Sequence, residues 1–360
     1  MKIVQLVCVY PPYAGGIGTS AHNLSRYFDL ETITLKPRGI ESESTDKVKY
    51  LNPLIRLGHA ALPISLFRRL KSSDLIYFHY PFFGVGLILH LFTRLHPQTR
   101  LIIQYHMDTD SLKGIKRILA NLEKLLNYKL FDRAEKIVVS SLDYIEHSQI
   151  KDYYQKHQSK FVAIPFAVDT QKFSPADNLD RGNTKNILFV GGLDKAHYFK
   201  GVDNLLRALG AIKDDWQLSI AGSGELENQY RQLAQELGIE KKINFLGKLK
   251  NEELVDVFRR HDALVLPSIN RHEAFGIVLI EAMACGLAVI ASELYGVRSV
   301  FGAAEGLKVI PNNIPDLTQK IEAIFSDPQK LIDMKKAARK LALTTYDEKI
   351  IKNKLLAILS

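Results

Sequence analysis

The sequence predicts an α/β protein of two domains, each with a parallel sheet covered by helices on both faces. The chain has 360 residues, more than a single hydrophobic core usually serves. Short runs rich in Val, Ile and Leu alternate with longer amphipathic stretches, a pattern typical of parallel sheets. The alternation starts again after a polar, turn-rich segment at 174–186. We therefore predict a first domain over 1–170 and a second over 171–344, with a C-terminal helix at about 345–360 that packs back on the first.

Five apolar runs in each half predict strands, and amphipathic stretches predict the helices between them. The expected strands are 2–10, 74–80, 100–106, 136–141, 160–165, 186–192, 216–222, 243–247, 263–268 and 287–292. The expected helices are 19–29, 112–131, 142–156, 201–213, 225–238, 251–260 and 276–285. Such sheets bind ligands at the carboxyl ends of their strands, so we expect the functional residues there, in a cleft between the two domains.

Composition and charge restrict the partners. Hydrophobic residues make up 46% of the chain and charged residues 24%, as in ordinary soluble proteins. The formal net charge of +9 favours an anionic partner, and at this point nucleic acid, anionic lipid and phosphorylated small molecules all qualify. Cys8 and Cys285 lie in apolar contexts, which predicts buried thiols rather than a disulfide or a metal site. The first residues do not resemble a signal peptide and the longest apolar stretch, 81–92, is too short to span a bilayer, so we expect a cytoplasmic protein.

A glycine-rich loop, PPYAGGIGTS, follows the first strand. Gly15 and Gly16 allow its backbone to approach a ligand closely, and Thr19 or Ser20 is expected to cap the next helix. The loop lacks the GxGxxG spacing of dinucleotide-binding proteins, and no Gly-x-x-x-x-Gly-Lys-Ser/Thr phosphate loop occurs in the sequence. A plain turn is an equally good interpretation of this loop alone.

Two further turns of this kind lie in the second half. Gly222 and Gly224 occupy a strand-to-helix turn and are suited to close backbone approach. Lys200 precedes a helix start, where its charge would help to bind a phosphate. A solvated surface lysine is the alternative interpretation of Lys200.

Histidines stand at the ends of two strands in the first half. His79 and His106 each follow an apolar run, and two histidines at the carboxyl ends of one sheet favour a site over a structural role. Asp108 and Asp110 superficially resemble a metal-binding pair. Because short acidic pairs are common in loops, we expect no metal there.

The segment RHEAFGIVLIEAMACG, at 271–286, holds two glutamates around a predicted helix start. Free backbone amides at such a start form a ready anion site. The amides concerned are those of Phe275, Gly276 and Ile277. Glu281 interrupts an apolar run about one turn into the helix, where a charge is costly unless it is paired or hydrogen-bonded. The two hydroxyls of a ribose would satisfy the Glu281 carboxylate, and Glu273 could reach further along the same ligand. This arrangement is typical of a binding site for a nucleotide diphosphate-sugar. A buried ion pair of Glu281 with Arg or Lys is the alternative.

Six stretches, in order along the chain, resemble the retaining GT-B glycosyltransferases of family 4. They are the loop PPYAGGIG, His106 after its strand, VDTQKFSP at 168–175, Lys200-Gly201, the turn of Gly222 and Gly224, and the segment 267–292 with Glu273 and Glu281. The resemblance implies the GT-B fold, two Rossmann-like domains that face a central cleft. It also implies transfer of a sugar from a UDP- or GDP-sugar to a glycan or lipid-linked acceptor, in cell-envelope polysaccharide or glycolipid biosynthesis. No metal, other cofactor or nucleic acid is implied.

The same resemblance implies roles for individual residues. Glu281 would accept the ribose hydroxyls, Glu273 would contact the donor sugar, and the amides of 275–277 would hold the diphosphate. His106 would contact the sugar from the opposite side, and the donor phosphate would deprotonate the acceptor on the same face, so that no protein nucleophile is required. The remaining candidates are Gly15, Gly16, Lys200, Gly222, Gly224 and Arg271 for the donor, and Tyr13 and His79 for the acceptor.

Gly192 departs from the family pattern, which has an arginine at this position. The candidates for the missing positive charge are Arg271, Lys195 and His197. Phe166-Ala167 replaces the usual Asn-Gly before Val168-Asp169. Neither departure removes the pair of glutamates.

The stretch 111–133 raises the question of a membrane. It has leucines and isoleucines at helical spacing, and six Lys or Arg residues against Glu123 and Asp132. A helix packed on the domain core is the first interpretation. The basic excess makes binding to an anionic membrane surface the second.

Two other functions remain open from the sequence. A hydrolase or epimerase could use the same fold, although a glycosidase needs two carboxylates that face each other across the scissile bond. A non-catalytic nucleotide-sugar-binding protein is the other, because Gly192 removes a charge that catalysis normally uses.

Overall fold

Two compact units make up the chain. The computed structural model describes residues 1–11, 15–37, 45, 47–52, 56–57, 60–61, 63, 65–109, 127–176 and 185–360. The first unit comprises Met1–Pro165 with Lys354–Ser360, and the second comprises Phe166–Asn353. Each unit carries its own parallel sheet.

The first unit is built on a seven-stranded sheet. Its strands are β1 (Ile3–Val7), β2 (Glu31–Leu35), β3 (Val48–Leu51), β6 (Leu75–Tyr80), β7 (Arg100–Tyr105), β8 (Lys136–Val139) and β9 (Phe161–Ala163), while β4 (Arg56–Leu57) and β5 (Ala60–Ala61) pair antiparallel beside it. The order is β3-β2-β1-β6-β7-β8-β9, with every neighbouring pair parallel. The helices are α1 (Gly16–Tyr27), α2 (Leu66–Arg69), α3 (Gly86–Leu95), α4 (described over 127–133), α5 (Leu142–Ile145) and α6 (Lys151–Lys156).

The second unit is built on a six-stranded sheet. Its strands are β10 (Lys185–Val190), β11 (Trp216–Ala221), β12 (Ile243–Gly247), β13 (Ala263–Leu266), β14 (Ala288–Ser292) and β15 (Gly306–Val309). The order β12-β11-β10-β13-β14-β15 is wholly parallel and is the order of a Rossmann fold. The helices are α7 (Val202–Gly210), α8 (Glu227–Glu236), α9 (Asn251–Arg259), α10 (Ile277–Ala284), α11 (Ile314–Phe325) and α12 (Pro328–Leu341). The last helix, α13 (Glu348–Leu359), begins in the second unit and ends in the first. The predicted pair of parallel-sheet, Rossmann-like domains is confirmed.

Hydrophobic residues cover both faces of the second sheet. Ile187 and Phe189 belong to one core cluster and the intervening Leu188 belongs to another, because successive side chains of a strand point to opposite faces. All residues of β13 and β14 are buried. Burial on both faces is the reason why these strands appear in the sequence as continuous apolar runs rather than as alternating ones.

The structure departs from the sequence prediction in several elements. Five strands, β2 to β5 and β15, were not predicted, and none of them has more than five residues. The predicted helix 142–156 is divided into α5 and α6, because the hydroxyl of Ser148 donates to the carbonyl of Ile145 and accepts from the amide of Ile150. Most of the predicted helix 112–131 lies outside the described residues.

The end of the chain is held in the first unit by Arg100. Its guanidinium group donates to the backbone carbonyls of Ile358, Leu359 and Ser360, at 3.2, 3.0 and 3.1 Å, and pairs with Glu135. None of the helices in the described ranges has both the length and the apolar composition that a membrane crossing requires. Cys8 and Cys285 are buried free thiols, as predicted.

Candidate functional site

Glu273 lies in a tight loop after β13. The loop closes through a bond from the Glu273 amide to the carbonyl of Asn270, and the side chain of Asn270 accepts from the amide of His272. Glu273 is 8% exposed. Its Oε2 atom accepts from Lys200 Nζ at 2.8 Å and from Ser268 Oγ at 3.2 Å. These two donors compensate the burial of the carboxylate and hold it in one orientation.

Lys200 reaches Glu273 because two loops lie in close contact. It ends a short 3₁₀ helix, Lys195–Lys200, and Gly201 follows with a φ of 71°. A Cβ atom on Gly201 would lie 2.3 Å from the carbonyl oxygen of Pro267, and the amide of Ile269 donates to the carbonyl of Phe199. Lys200 is therefore a largely buried ion-pair partner, and the alternative of a solvated surface lysine is wrong.

The helix start predicted between the two glutamates is present. Gly276 caps α10 with a φ of 82°, a conformation that favours glycine. Among the described residues, none accepts a hydrogen bond from the backbone amides of Phe275, Gly276 or Ile277. The ring of Phe275 packs against Phe166 and Tyr346, so its side chain belongs to the core and its amide is the group that a ligand could use. Gly286, with a φ of 75°, follows the helix end as predicted.

Glu281 lies in the second turn of α10 with a half-buried side chain. Burial raises the pKa of its carboxyl to about 7, and the positive charge of Lys172 offsets part of that rise. No hydrogen bond or ion pair joins this carboxylate to another described residue. The alternative of a buried salt bridge is therefore not found in the described ranges. A ligand with two hydroxyl donors would satisfy both oxygens of the ionised group.

The glycines of the AGSG turn serve a contact within the protein. A Cβ atom on Gly222 would lie 1.8 Å from the carbonyl oxygen of Gly191, and one on Gly224 would lie 2.2 Å from the amide of Asp194. The amide of Leu193 donates to the carbonyl of Ser223. The close backbone approach expected at this turn is therefore made to the neighbouring loop 191–194. The role of these glycines in binding the donor stays a prediction.

His197 lies against Gly192, the position at which the family resemblance led us to expect an arginine. A Cβ atom on Gly192 would lie 2.9 Å from His197 Nδ1, which pairs with the Asp194 carboxylate at 2.8 Å. The space beside Gly192 is thus filled by an imidazole ring. Arg271 is half-buried. Burial of His272, together with the charge of Arg271, lowers the pKa of His272.

The first glycine loop caps a helix through its backbone. Helix α1 begins at Gly16, and Gly15 is its N-cap with a φ of 145°. The prediction that Thr19 or Ser20 caps this helix is wrong, because both residues lie inside it. The N-cap is Gly15, whose positive φ is a conformation that favours glycine. Tyr13, the acceptor-side candidate, lies outside the described residues.

His79 and His106 form a buried pair at the carboxyl ends of β6 and β7. Nδ1 of His79 lies 2.9 Å from Nε2 of His106, and Nε2 of His79 lies 3.1 Å from Oε1 of Gln5. His79 has no exposed surface and His106 is 5% exposed. Both ring nitrogens of His79 are engaged within the unit, and its role as an acceptor-side residue stays a prediction. Burial lowers the pKa of both rings, to about 3 for His106.

The acidic pair at 108–110 has a structural member. Asp108 Oδ1 accepts from the hydroxyl of Tyr105 at 2.7 Å and from the amide of Gln149 at 3.2 Å, which ties the loop after β7 to the chain beyond α5. Asp110 lies outside the described residues. Within the described ranges, no group of three or more His, Cys, Asp or Glu residues is arranged to hold a metal ion.

The comparisons with known proteins agree with this geometry. Residues 170–341, which include Lys200, Glu273 and Glu281, match the family model of glycosyl transferases group 1. Over these residues the chain is similar to the group 1 glycosyl transferases. The O-antigen chain mannosyltransferase C of Escherichia coli is 29% identical over 342 residues, which cover 89% of this chain and 87% of that protein.

Two solved structures show the fold of the glycosyltransferase over its whole length. A sucrose-phosphate synthase from Thermosynechococcus elongatus has a TM-score of 0.79 at 21% identity and covers 100% of this chain and 98% of its own. Anabaena HepE, solved in complex with UDP, has a TM-score of 0.79 at 18% identity and covers 100% and 99%. The predicted GT-B class is confirmed by these neighbours.

Three residues that act on the candidate site residues of the two units were not singled out from the sequence. Ser268 and Lys172 lie within the stretches 267–292 and 168–175, but the sequence does not show that they act on the two glutamates. Gln5 did leave a signal, since it is the one polar residue in the buried strand IVQLV. A polar side chain in such a strand requires partners, and here they include a histidine of the next strand.

Proposed function

We propose that the protein is a retaining glycosyltransferase that uses a UDP- or GDP-sugar. The acceptor is a glycan or a lipid-linked sugar, and the product serves a cell-envelope polysaccharide or glycolipid. The observation that supports this most is the second-unit site, in which two carboxylates flank a helix start whose amides have no acceptor among the described residues. HepE was solved with UDP, and a mannosyltransferase relative from Corynebacterium glutamicum is named GDP-mannose-dependent; together they keep both donor classes in the proposal.

The proposed roles follow the chemistry of each group. The amides of 275–277 bind the diphosphate, and Glu281 accepts the two ribose hydroxyls. Glu273, oriented by Lys200 and Ser268, contacts the hydroxyls of the donor sugar. Lys200 stabilises the departing diphosphate electrostatically, and His197 takes the place of the arginine that Gly192 replaces.

The mechanism that we propose keeps the anomeric configuration and needs no metal. His106 contacts the sugar, and the donor phosphate takes the proton of the acceptor hydroxyl on the face from which the nucleotide leaves. The charge that builds up on the diphosphate is then neutralised by helix amides and lysine, as preorganised donors do in other enzymes. Product anomers resolved by NMR, in reactions with and without EDTA, test both statements.

We extend the proposal to peripheral membrane binding through α3. Three leucines spaced four residues apart lie on one side of this helix and are exposed. They are Leu87 (43%), Leu91 (47%) and Leu95 (67%). Arg94 is exposed beside them. Burial lowers the pKa of His90, and the charges of Lys129 and Arg94 lower it further, which shows that both cations lie near this helix. Exposed apolar side chains with cations nearby suit an anionic lipid surface. The basic stretch 111–133, which first suggested a membrane, lies mostly outside the described residues.

Vesicle flotation tests the membrane proposal. Leu91→Glu should reduce retention on anionic vesicles at low salt, whereas Ile332→Glu on α12, with 45% exposure in the second unit, should not. Equal retention of both variants would remove α3 as the contact.

A donor panel tests the function itself. UDP-, GDP- and ADP-sugars are screened for thermal stabilisation, for hydrolysis and for transfer to envelope glycan acceptors. Glu281→Ala should weaken nucleotide binding by about 1–3 kcal/mol, the scale of lost hydrogen bonds to a charged group. His106→Ala should lower turnover far more than nucleotide affinity. Release of free sugar from a simple glycoside would favour a hydrolase, and binding without turnover of any donor would favour a non-catalytic protein.

A further inference from the structure

We propose that Gln5 and His79 are positioning residues that hold His106 in its neutral Nε2–H tautomer. The inference rests on the proposed function in one respect, since it takes His106 as the histidine that contacts the donor sugar. The tautomer itself follows from the hydrogen bonds of the first unit.

Gln5 sets the direction of the hydrogen-bond chain. Its side-chain nitrogen donates to the carbonyl of Ala21 at 3.0 Å and to Thr32 Oγ1 at 2.6 Å. A carbonyl oxygen can only accept, so the amide nitrogen must face Ala21, and Oε1 faces the other way, toward His79. Gln5 is fully buried, and an inverted amide would place its oxygen against the Ala21 oxygen.

His79 transmits this direction. Its Nε2 lies 3.1 Å from Gln5 Oε1, which only accepts, so Nε2 carries the proton. His79 has no exposed surface, and burial, reinforced by the neighbouring His106, keeps its pKa well below the ordinary value. The ring is therefore neutral, its Nδ1 has no proton, and Nδ1 accepts a hydrogen bond.

His106 is left with one arrangement. Its Nε2 lies 2.9 Å from the accepting Nδ1 of His79 and must donate. The two ring planes are inclined by only 14° with centroids 5.2 Å apart, so the bond runs within the planes of the rings rather than between stacked faces. With a pKa lowered to about 3 by burial, His106 is neutral at pH 7 and its Nδ1 can accept but not donate.

A catalytic histidine in the wrong tautomer presents a donor where an acceptor is needed. Groups that orient a metal-bound histidine through its second ring nitrogen commonly contribute about 10- to 100-fold to activity, and we expect an effect of the same order here. The ordinary alternative is that Gln5, His79 and His106 are a satisfied polar network that only stabilises the first unit. The two interpretations differ in what happens to His106 when His79 is changed.

Long-range ¹H–¹⁵N NMR of the whole protein tests the tautomer directly. His106 is assigned by its absence in His106→Ala. We expect protonated Nε2 and unprotonated Nδ1 from pH 8 to pH 5, and a mixture of tautomers in His79→Leu. A Nδ1–H tautomer or an imidazolium in the wild type overturns the proposal, as does an unchanged single tautomer in His79→Leu. If His79→Leu does not fold, Gln5→Met removes the acceptor at the start of the chain and is judged by the same spectra.

Steady-state kinetics tests the positioning role. His79→Asn has the shape of His79→Leu but retains an acceptor near the place of Nδ1. We expect His79→Leu to lower kcat about 10- to 100-fold with little change in the KM of the donor, and His79→Asn to recover most of the loss. Tyr77→Phe, which removes the hydroxyl bonded to Gln104 in the same core, is the stability control. Equal kcat in the Leu and Asn variants overturns the positioning role.

The two failures are distinguishable. If no nucleotide-sugar supports transfer, the proposed function fails while the NMR result on His106 still stands or falls by itself. If transfer occurs but His106 has the other tautomer, the relay fails and the proposed function is unaffected.

Discussion

Nucleotide binding should release a proton from Glu281. Desolvation of the half-buried side chain, which has no hydrogen-bond donor among the described residues, raises the pKa of the carboxyl to about 7. Two ribose hydroxyls need two accepting oxygens, which only the ionised group offers, so the bound nucleotide should return the pKa toward its ordinary value of 4.5. At pH 6.5 roughly three quarters of the free protein carries the proton, and almost none of the complex does. We expect release of about 0.7 proton per nucleotide.

The same linkage predicts how affinity varies with pH. The ionised fraction of Glu281 rises from about 0.03 at pH 5.5 to about 0.76 at pH 7.5, so nucleotide affinity should rise about 25-fold over this range. The sign for stability is opposite. Because the folded-state pKa is raised, the contribution of Glu281 to the free energy of unfolding is present below pH 4.5 and is lost as the pH rises through 7.

Titration calorimetry in two buffers of different ionisation enthalpy measures the proton release. The terminal phosphate of a nucleoside diphosphate also titrates near pH 6, so the quantity of interest is the difference between the wild type and Glu281→Gln. The variant keeps the shape and cannot ionise. A difference below about 0.2 proton, or proton uptake, would refute the ribose assignment.

Three further predictions concern stability. Lys200→Met leaves the buried Glu273 carboxylate with Ser268 as its remaining partner and should lower the free energy of unfolding, measured by urea denaturation, by about 3–5 kcal/mol. The double variant Lys200→Met with Glu273→Gln should lose clearly less stability. Equal losses would mean that the pair does not act as a unit. Gly222→Ala puts a Cβ atom 1.8 Å from the Gly191 oxygen at a φ of 153° and should lower the free energy of unfolding by at least about 3 kcal/mol. In the control Gly210→Ala, at the end of α7, the nearest contact of the new Cβ is 3.5 Å, so the urea midpoint should change little. A Gly222→Ala variant as stable as the wild type would contradict the loop packing. Acid should destabilise the first unit, because His79 and His106 have lowered pKa values. Their contribution to the free energy of unfolding is complete above pH 6.5 and falls by up to about 1.4 kcal/mol per pH unit for each ring below it. His79→Leu should therefore lose less stability between pH 7 and pH 5 than the wild type, and an identical slope would rule the histidines out as the source of the acid sensitivity.

Local patterns were enough to predict the buried, apolar strands. β1, β6, β7, β10, β11, β13 and β14 are runs of apolar residues, and their burial on both faces makes the run itself the signal. β2, β3 and β15 were missed because polar or charged residues interrupt their short sequences, ETITL, VKYL and GLKV. The division of helix 142–156 was missed for a similar reason, since a single serine hydroxyl redirects the backbone.

Within the site, the residue types could be predicted and their partners could not. The segment 271–286 by itself specified a helix start between two glutamates, because a glycine before an apolar helical run determines where the amides become free. That Glu273 is bonded to Lys200, 73 residues earlier, depends on the contact of Gly201 with the Pro267 carbonyl, which exists only once β10 and β13 are paired.

The histidines show the same division between sequence and tertiary structure. The sequence by itself determined that His79 and His106 lie at the carboxyl ends of two strands in one parallel sheet. Only the tertiary structure decided that one lies behind the other and that Gln5 on β1 orders them. A strand's pattern encodes its burial, but the direction of a hydrogen bond depends on which groups from distant segments meet around it, and that is settled when the sheet assembles.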